Sequence, residues 1–216
     1  MRLSKPIKKI RMLRNYAREK GLSLVAGVDE VGWGAFAGPV VTAAVILPPD
    51  FESELIVDSK LICKSKRKMQ AAYDVIMKNA ISVSCTAVQA KKINEIGPQP
   101  ALDLCIQQSI DGLDKKPEFI LMDGSRYNPH HDIPYELVPK GDNTFLSIGA
   151  AAIVAKYRRD EYMVKVHDKY PMYGFDGSKG YGSPKHYAGL KEHGRCQYHR
   201  NKYVNSWASN QGIIIS

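Results

Sequence analysis

Long apolar runs are missing from this 216-residue chain. Nothing approaches the roughly 20 consecutive apolar residues that a membrane-spanning helix needs. The charged first residues also lack the apolar stretch of a secretory signal. Cysteine is scarce: Cys63, Cys85, Cys105 and Cys196 stand far apart, with no paired spacing. That argues against a disulfide framework and for reduced thiols in a cytoplasmic protein. Repeats and low-complexity tracts are absent as well. What remains is a basic chain, net charge +9, with 44% apolar residues. This is enough for the core of one domain, expected to act as a monomer.

Acids are nearly absent from the first residues. Residues 1–21 carry eight Lys/Arg against Glu19 alone, a net +7. Residues 156–202 carry eleven Lys/Arg against five acids, with four of the six histidines. The rest of the chain is therefore net negative. Basic flanks around an acidic centre suit a polyanion held by its phosphates and cut with the help of metal ions. The plainer alternative is that basic faces only keep the protein in solution.

The periodicities predict a basic amphipathic helix over 5–20, closed by Gly21. Strands are expected at 22–31 and 40–47, with Pro48-Pro49 stopping the second. A helix follows over 65–78, an alternating strand over 80–88, and a helix pair over 91–112 broken at Gly97-Pro98. Glu118 to Met122 and Tyr135 to Val138 read as short strands, and 144–168 as one long helix. The first half of that helix is rich in Gly and Ala, which suits close packing on a sheet. A Gly/Tyr/Pro/Ser-rich loop spans 170–184, a short helix 185–193, and the tail after Tyr203 is weakly patterned. The sum is an α/β fold, a mixed five-stranded sheet flanked by helices with a C-terminal helical segment.

Four acids carry the chemistry. Asp29 and Glu30 close the first strand and are followed by Gly32-Trp33-Gly34; Asp123 and Asp142 each end a strand beside a glycine. Carboxylates at strand ends converge on one edge of an α/β sheet, where ligands bind. A lone Asp there is usually a turn or helix cap, and Asp142 before Asn143-Thr144 fits that reading too. Four acids together call for divalent cations, and all-oxygen ligands favour Mg²⁺ or Mn²⁺ over zinc. Two such ions stabilise the attacking and leaving oxygens of a phosphodiester. Asp160 competes, but lies roughly 27 Å from Asp142 along a straight helix and suits a structural ion pair with a neighbouring Arg.

These residues also carry a resemblance. Gly27-Val28-Asp29-Glu30-Val31-Gly32 with Ala37-Gly38-Pro39-Val40-Val41 resembles the signature of the ribonuclease HII family. So do Asp58-Ser59-Lys60, Leu121-Met122-Asp123-Gly124, and Lys140-Gly141-Asp142 with the run from Ser147 to Lys156. Lys179-Gly180-Tyr181-Gly182-Ser183 with His186, then His193-Gly194 with His199-Arg200, complete the set. Each block alone is weak; in this order, over residues 22 to 203, they are specific. The resemblance implies a ribonuclease H-like fold whose segment at about 157–203 helps hold the duplex, after a basic N-terminal extension over 1–21. It implies endonucleolytic cleavage of RNA in RNA–DNA hybrids and of ribonucleotides embedded in duplex DNA, leaving 3′-hydroxyl and 5′-phosphate ends. The metal-site acids of the family match Asp29, Glu30, Asp123 and Asp142. The expected division has Asp29 bridging two ions, Glu30 and Asp123 completing one shell and Asp142 the other.

The family usually has Gly-Arg-Gly where this chain has Gly32-Trp33-Gly34. The resemblance assigns that tripeptide, with Tyr181, to sensing the ribose 2′-hydroxyl. The amides of Gly32 and Gly34 can still do so, but an indole cannot replace a guanidinium on a phosphate. Weakened single-ribonucleotide activity is the alternative reading, against a Trp33 that merely packs beside the site. Lys60, Lys179, Ser183 and His186 are expected phosphate contacts. His193, Cys196 and His199 have spacing that invites zinc but supply three ligands only. Gln211-Gly212-Ile213-Ile214-Ile215 faintly resembles a sliding-clamp docking peptide; packing on its own protein is the competing reading. A binding module with a dead site is disfavoured by four intact acids. Another phosphoryl-transfer enzyme on this fold is disfavoured by the Lys-Gly-Tyr-Gly-Ser block.

Overall fold

β1 (Val25–Val31) is apolar on both faces until its last residues, as a central strand must be. In the computed structural model, which describes residues 13–57, 59–125, 127–128 and 131–215, it lies third of five strands, in the order β3-β2-β1-β4-β5. β2 (Val40–Ile46) and β3 (Ser82–Val88) continue the sheet antiparallel on one side. β4 (Phe119–Asp123) and β5 (Tyr135–Val138) pair parallel on the other. The five expected strands are all present, the first starting at Val25 rather than at 22.

Alternation along the strands divides the core. Val41, Ala43 and Val45 of β2 pack with α3 (Lys66–Asn79) and α6 (Leu146–Lys169). Val40, Ala44 and Ile46 face α5 (Pro98–Asp111), and the short α4 (Ala90–Ile96) joins that side through Ile93. The break between α4 and α5 falls at Gly97 and Pro98, as the sequence predicts. α6 crosses β1 so closely that a Cβ at Gly27 would lie 2.1 Å from the Ser147 carbonyl carbon. Backbone on backbone at that distance requires glycine on the strand, and Gly149 and Ala150–Ala152 keep the helix side slim.

The N-terminal reading needs correction. α1 covers only Tyr16–Lys20, because Asn15 is extended and its side chain accepts the Arg18 amide as a cap; residues 1–12 lie outside the described residues. α1 is tied to the fold. The Asn15 amide group donates to the Pro48 and Phe51 carbonyls, and Arg14 exchanges backbone bonds with Thr144 and Leu146. Arg14 and Arg18 pair with Glu19 and Glu52.

Beyond α6 the chain forms α7 (Phe175–Ser178), α8 (Pro184–His193) and α9 (Asn201–Asn210), after a short α2 (Ser59–Ile62) earlier in the chain. α9 stands where the tail had no clear pattern. Its Val204 and Ala208 bury with Leu190 and Ile215, and Ile213 joins them, while Ile214 is exposed. The tail thus packs on its own protein. No helix among the described residues is long and apolar enough to cross a membrane.

Candidate active site

Parallel pairing brings the acids together. Gly27 opposes Leu121 and Val28 opposes Met122, so one step on, Asp29 (two residues before the end of β1) stands beside Asp123, the last residue of β4. Asp142 reaches them from a 3-10 turn over Gly141–Asn143, entered through Lys140 at φ 61°. That left-handed residue turns the Gly141 amide onto Asp123 Oδ1 at 2.7 Å. Asp142 does not cap α6, whose preceding residue is Phe145. All four acids line one cleft of about 340 Å³, shared with the Gly32-Trp33-Gly34 turn, Lys60, Lys156 and Tyr181.

The cleft is electrostatically strained. Burial, then the charges of Glu30 and Asp123, raise the Asp29 carboxyl well above the usual carboxylate range. The Glu30 amide, donating to Asp29 Oδ1 at 2.7 Å, only partly opposes this. Glu30 is pushed up to about 6, by burial first and then Asp123. Asp123 is also raised, chiefly by burial. Lys60 supplies one positive charge: its ammonium lies 2.9 Å from Asp142 Oδ2, with the lysine side chain 74% exposed and the aspartate 4%. The donors are all carboxylate oxygens, and burying them together disfavours their charged forms. Divalent, oxygen-seeking cations fit this set. Among the described residues no three such side chains already meet as a closed metal-binding group.

The turn after β1 is held from beneath by two buried arginines. Arg159 donates to the carbonyls of Pro39 (2.9 Å), Lys179 (2.8 Å) and Ala37 (3.2 Å). Arg200 donates to those of Gly38 and Trp33, both at 2.9 Å, and Tyr203 adds a second bond to the Trp33 carbonyl. Gly32, at φ 87°, presses on Arg159, where a Cβ would lie 2.2 Å from Nε; around Gly34 nothing lies within 4 Å. The Gly32 amide donates to the Tyr181 hydroxyl at 3.1 Å, and the Arg159 guanidinium sits 5.3 Å from the Tyr181 ring centre. Arg159→Met should cost about 3–5 kcal/mol in chemical denaturation, because two buried carbonyls and one part-buried carbonyl lose their donor. A loss below about 1 kcal/mol would mean the guanidinium is not what holds the turn.

Several expected contacts are placed differently. His186 is fully buried with both ring nitrogens bonded inside the protein, so it is not a phosphate contact. Ser183 accepts the His186 amide as the cap of α8. Lys179 stands in a left-handed turn, its carbonyl held by Arg159. Asp160 pairs with Lys156 at 2.8 Å rather than with an Arg. His199 bonds the Cys196 amide and His186, and these bonds leave no zinc arrangement with His193 and Cys196. Trp33 lies in the cleft wall and is part-buried against the α5-side cluster. Asp58 lies outside the described residues. The one sequence signal for Arg159 is its place on the stripe Ala152, Ala155, Arg159, Met163 at helical spacing. Arg200 stands in the family-like His199-Arg200 block but with no role assigned there, and Tyr203 carries no signal beyond its residue type.

The family model described as Ribonuclease HII matches residues 26–208. The chain belongs to the ribonuclease HII family. It is therefore a ribonuclease H-type hydrolase, an enzyme that cuts RNA paired with DNA. A ribonuclease HII from Bacteroides thetaiotaomicron is 44% identical over 175 residues, covering 81% of this chain and 86% of the relative. The fold is similar to that of ribonuclease H2 from Pyrococcus horikoshii OT3 (TM-score 0.71, 22% identity), covering 86% of this chain and 97% of that one. It is also similar to Bst-RNase HIII solved in complex with Mn²⁺ (TM-score 0.62, 19% identity), covering 90% of this chain and 73% of that one.

Proposed function

We propose that this ribonuclease HII cleaves within RNA tracts of RNA–DNA hybrids and at ribonucleotides embedded in duplex DNA, leaving 3′-hydroxyl and 5′-phosphate ends. The observation that carries the reading is one cleft uniting four carboxylates with the Gly32-Trp33-Gly34 turn and Tyr181. Asp29, Glu30, Asp123 and Asp142 would hold two Mg²⁺ or Mn²⁺ ions. When bound, these supply Lewis-acid stabilisation of charge on the attacking and leaving oxygens.

The chain's own residues do the rest. Asp29 and Glu30 on β1, Asp123 at the end of β4 and Asp142 on the 3-10 turn define where the reacting phosphate would be placed, because bare carboxylates repel a phosphate and would face it only across bound cations. Lys60 lines the cleft and pairs with Asp142, which puts a positive charge at the cleft where a substrate phosphate would enter. The Tyr181 hydroxyl accepts from Gly32, which leaves its proton to donate into the cleft, where it meets a ribose 2′-hydroxyl. Gly34 is exposed and uncrowded, so a sugar can approach its backbone. The substrate-holding segment at about 157–203 delivers Tyr181 and the arginines that brace the turn. The site is complete within one chain, which supports action as a monomer. The four cysteines are free thiols, as a cytoplasmic enzyme would keep them. A clamp contact through the tail would have to lift Ile213 and Ile215 from their cluster, or use the exposed Ile214 alone.

Trp33 sets the limit on single ribonucleotides. Its indole contributes one donor and no charge where the family usually has a guanidinium. Trp33→Arg should raise kcat/KM about tenfold on a duplex with one embedded ribonucleotide, the worth of one charge-assisted hydrogen bond. A tract of four ribonucleotides should change little. End-labelled duplexes with Mg²⁺ and with Mn²⁺ measure both; an unchanged single-site rate would show that Trp33 only packs.

A further inference from the structure

Two buried imidazoles stand behind Tyr181, and the proposed cleavage does not use them directly. His186 and His199 are 0% and 2% exposed and face each other Nε2 to Nε2 at 3.0 Å. The Phe175 ring lies 5.1 Å from His186 and the Tyr173 ring 4.7 Å from His199. Burial depresses both imidazoles, His199 to about 3, so both are neutral.

A neutral imidazole has one N–H, and its neighbours decide which nitrogen carries it. The Cys196 amide donates to His199 Nδ1 at 2.8 Å. The Cys196 carbonyl is also 3.3 Å from that nitrogen, but the incoming amide hydrogen leaves no room for a second one. His199 therefore carries its proton on Nε2 and donates to His186 Nε2. His186 then carries its proton on Nδ1, which lies 2.9 Å from the Tyr181 carbonyl. The bonds run in one direction, from the Cys196 amide through both rings to the Tyr181 backbone. The far end of Tyr181 meets the Gly32 amide.

We infer that the His199–His186 pair is a positioning device for Tyr181, setting the hydroxyl at the ribose and so the enzyme's selectivity for a ribonucleotide. This rests on the proposed contact between Tyr181 and the sugar. His186 donates to the Tyr181 carbonyl itself, while the neighbouring Gly180 carbonyl is held by the Phe36 and Ala37 amides, and a displacement of about 1 Å at the sugar contact costs up to a hundredfold in rate. Neither histidine touches substrate.

Three variants and one spectrum test it. Tyr181→Ala should lower kcat/KM on a single-ribonucleotide duplex at least about tenfold. His186→Leu should lose about tenfold on that duplex, and less on a four-ribonucleotide tract. His186→Asn should stay within about threefold of the parent, because its amide N–H overlies the Nδ1–H donor. Nitrogen-15 imidazole spectra of the parent enzyme at neutral pH should show His199 protonated at Nε2, His186 at Nδ1, and neither charged. A Leu variant as active as the parent, equal losses for Leu and Asn, or two identical tautomers would overturn the inference. A Leu variant that does not fold leaves the Asn variant and the tautomers to decide. An unimpaired Tyr181→Ala would instead overturn the sugar contact, while the tautomers still judge the bonded chain by itself.

Discussion

Asp29→Asn is expected to lose at least about a thousandfold in cleavage rate and yet to melt at a higher temperature than the parent. The first effect follows from removing a carboxylate at the centre of the proposed metal site. The second follows from the charge bookkeeping. Asp29 is raised well above its ordinary range and Glu30 to about 6. The folded protein therefore binds these protons more tightly than the unfolded chain. Stability falls as pH rises from the ordinary carboxylate range through the raised values, and it stays lower above them. For Glu30 the window opens near 4.5 and closes near 6. Asn keeps the shape of the side chain and its acceptor for the Glu30 amide but cannot ionise. The gain in melting temperature should be clear at pH 7.5 and absent near pH 4, where Asp29 and Glu30 are already neutral in the parent. Mn²⁺ should stabilise the parent at pH 7.5, much less at pH 5, and the variant weakly at either. A variant that melts below the parent at pH 7.5 would mean the acids are not repelling one another there.

Gly27→Ala should cost about 3 kcal/mol or more in denaturant unfolding. The added Cβ would lie 2.1 Å from the Ser147 carbonyl carbon and 2.3 Å from the Ile148 nitrogen. These are backbone atoms in the first turn of α6, and no rotamer change can move them. α6 would have to lift from β1, moving Asp142 away from Asp29 and Asp123. Gly34→Ala makes the natural control, since nothing lies within 4 Å of the added atom: it should leave the melting temperature unchanged. A Gly27→Ala protein that unfolds with the parent would mean the helix has slack against the sheet.

The strands were legible because their alternating or continuous apolar runs end at prolines, glycines and acids, and such punctuation is local. The α4–α5 break at Gly97-Pro98 was legible for the same reason. α9 leaves no clear pattern in the sequence because six of its ten residues are Asn, Ser or Lys. Its two buried side chains gain their burial from Leu190 and Ile215, which are distant or beyond its end. The helix expected over 5–20 rests on Ile7, Ile10, Leu13 and Ala17 near one face, a spacing that runs through Asn15; among the described residues the Asn15 cap starts the helix at Tyr16.

The same line divides the site. That Asp29, Glu30, Asp123 and Asp142 belong to one chemistry could be argued from the sequence, because each closes a strand or turn and nothing nearby neutralises them. The departure at Trp33 was equally plain. The roles of the basic and aromatic residues behind the site could not be read there. His186 reads in the sequence as a phosphate contact and is a buried link; Arg159 carries no assigned role in the sequence and holds three carbonyls. The reason is physical. A strand-end carboxylate takes its position from the strand itself. A histidine or arginine takes its role from its partners, and here those lie up to 167 residues away along the chain, as from Trp33 to Arg200. By itself the sequence determined the sheet, the acids and the family. Only the tertiary structure decided which cations face the substrate and which brace the turn from within.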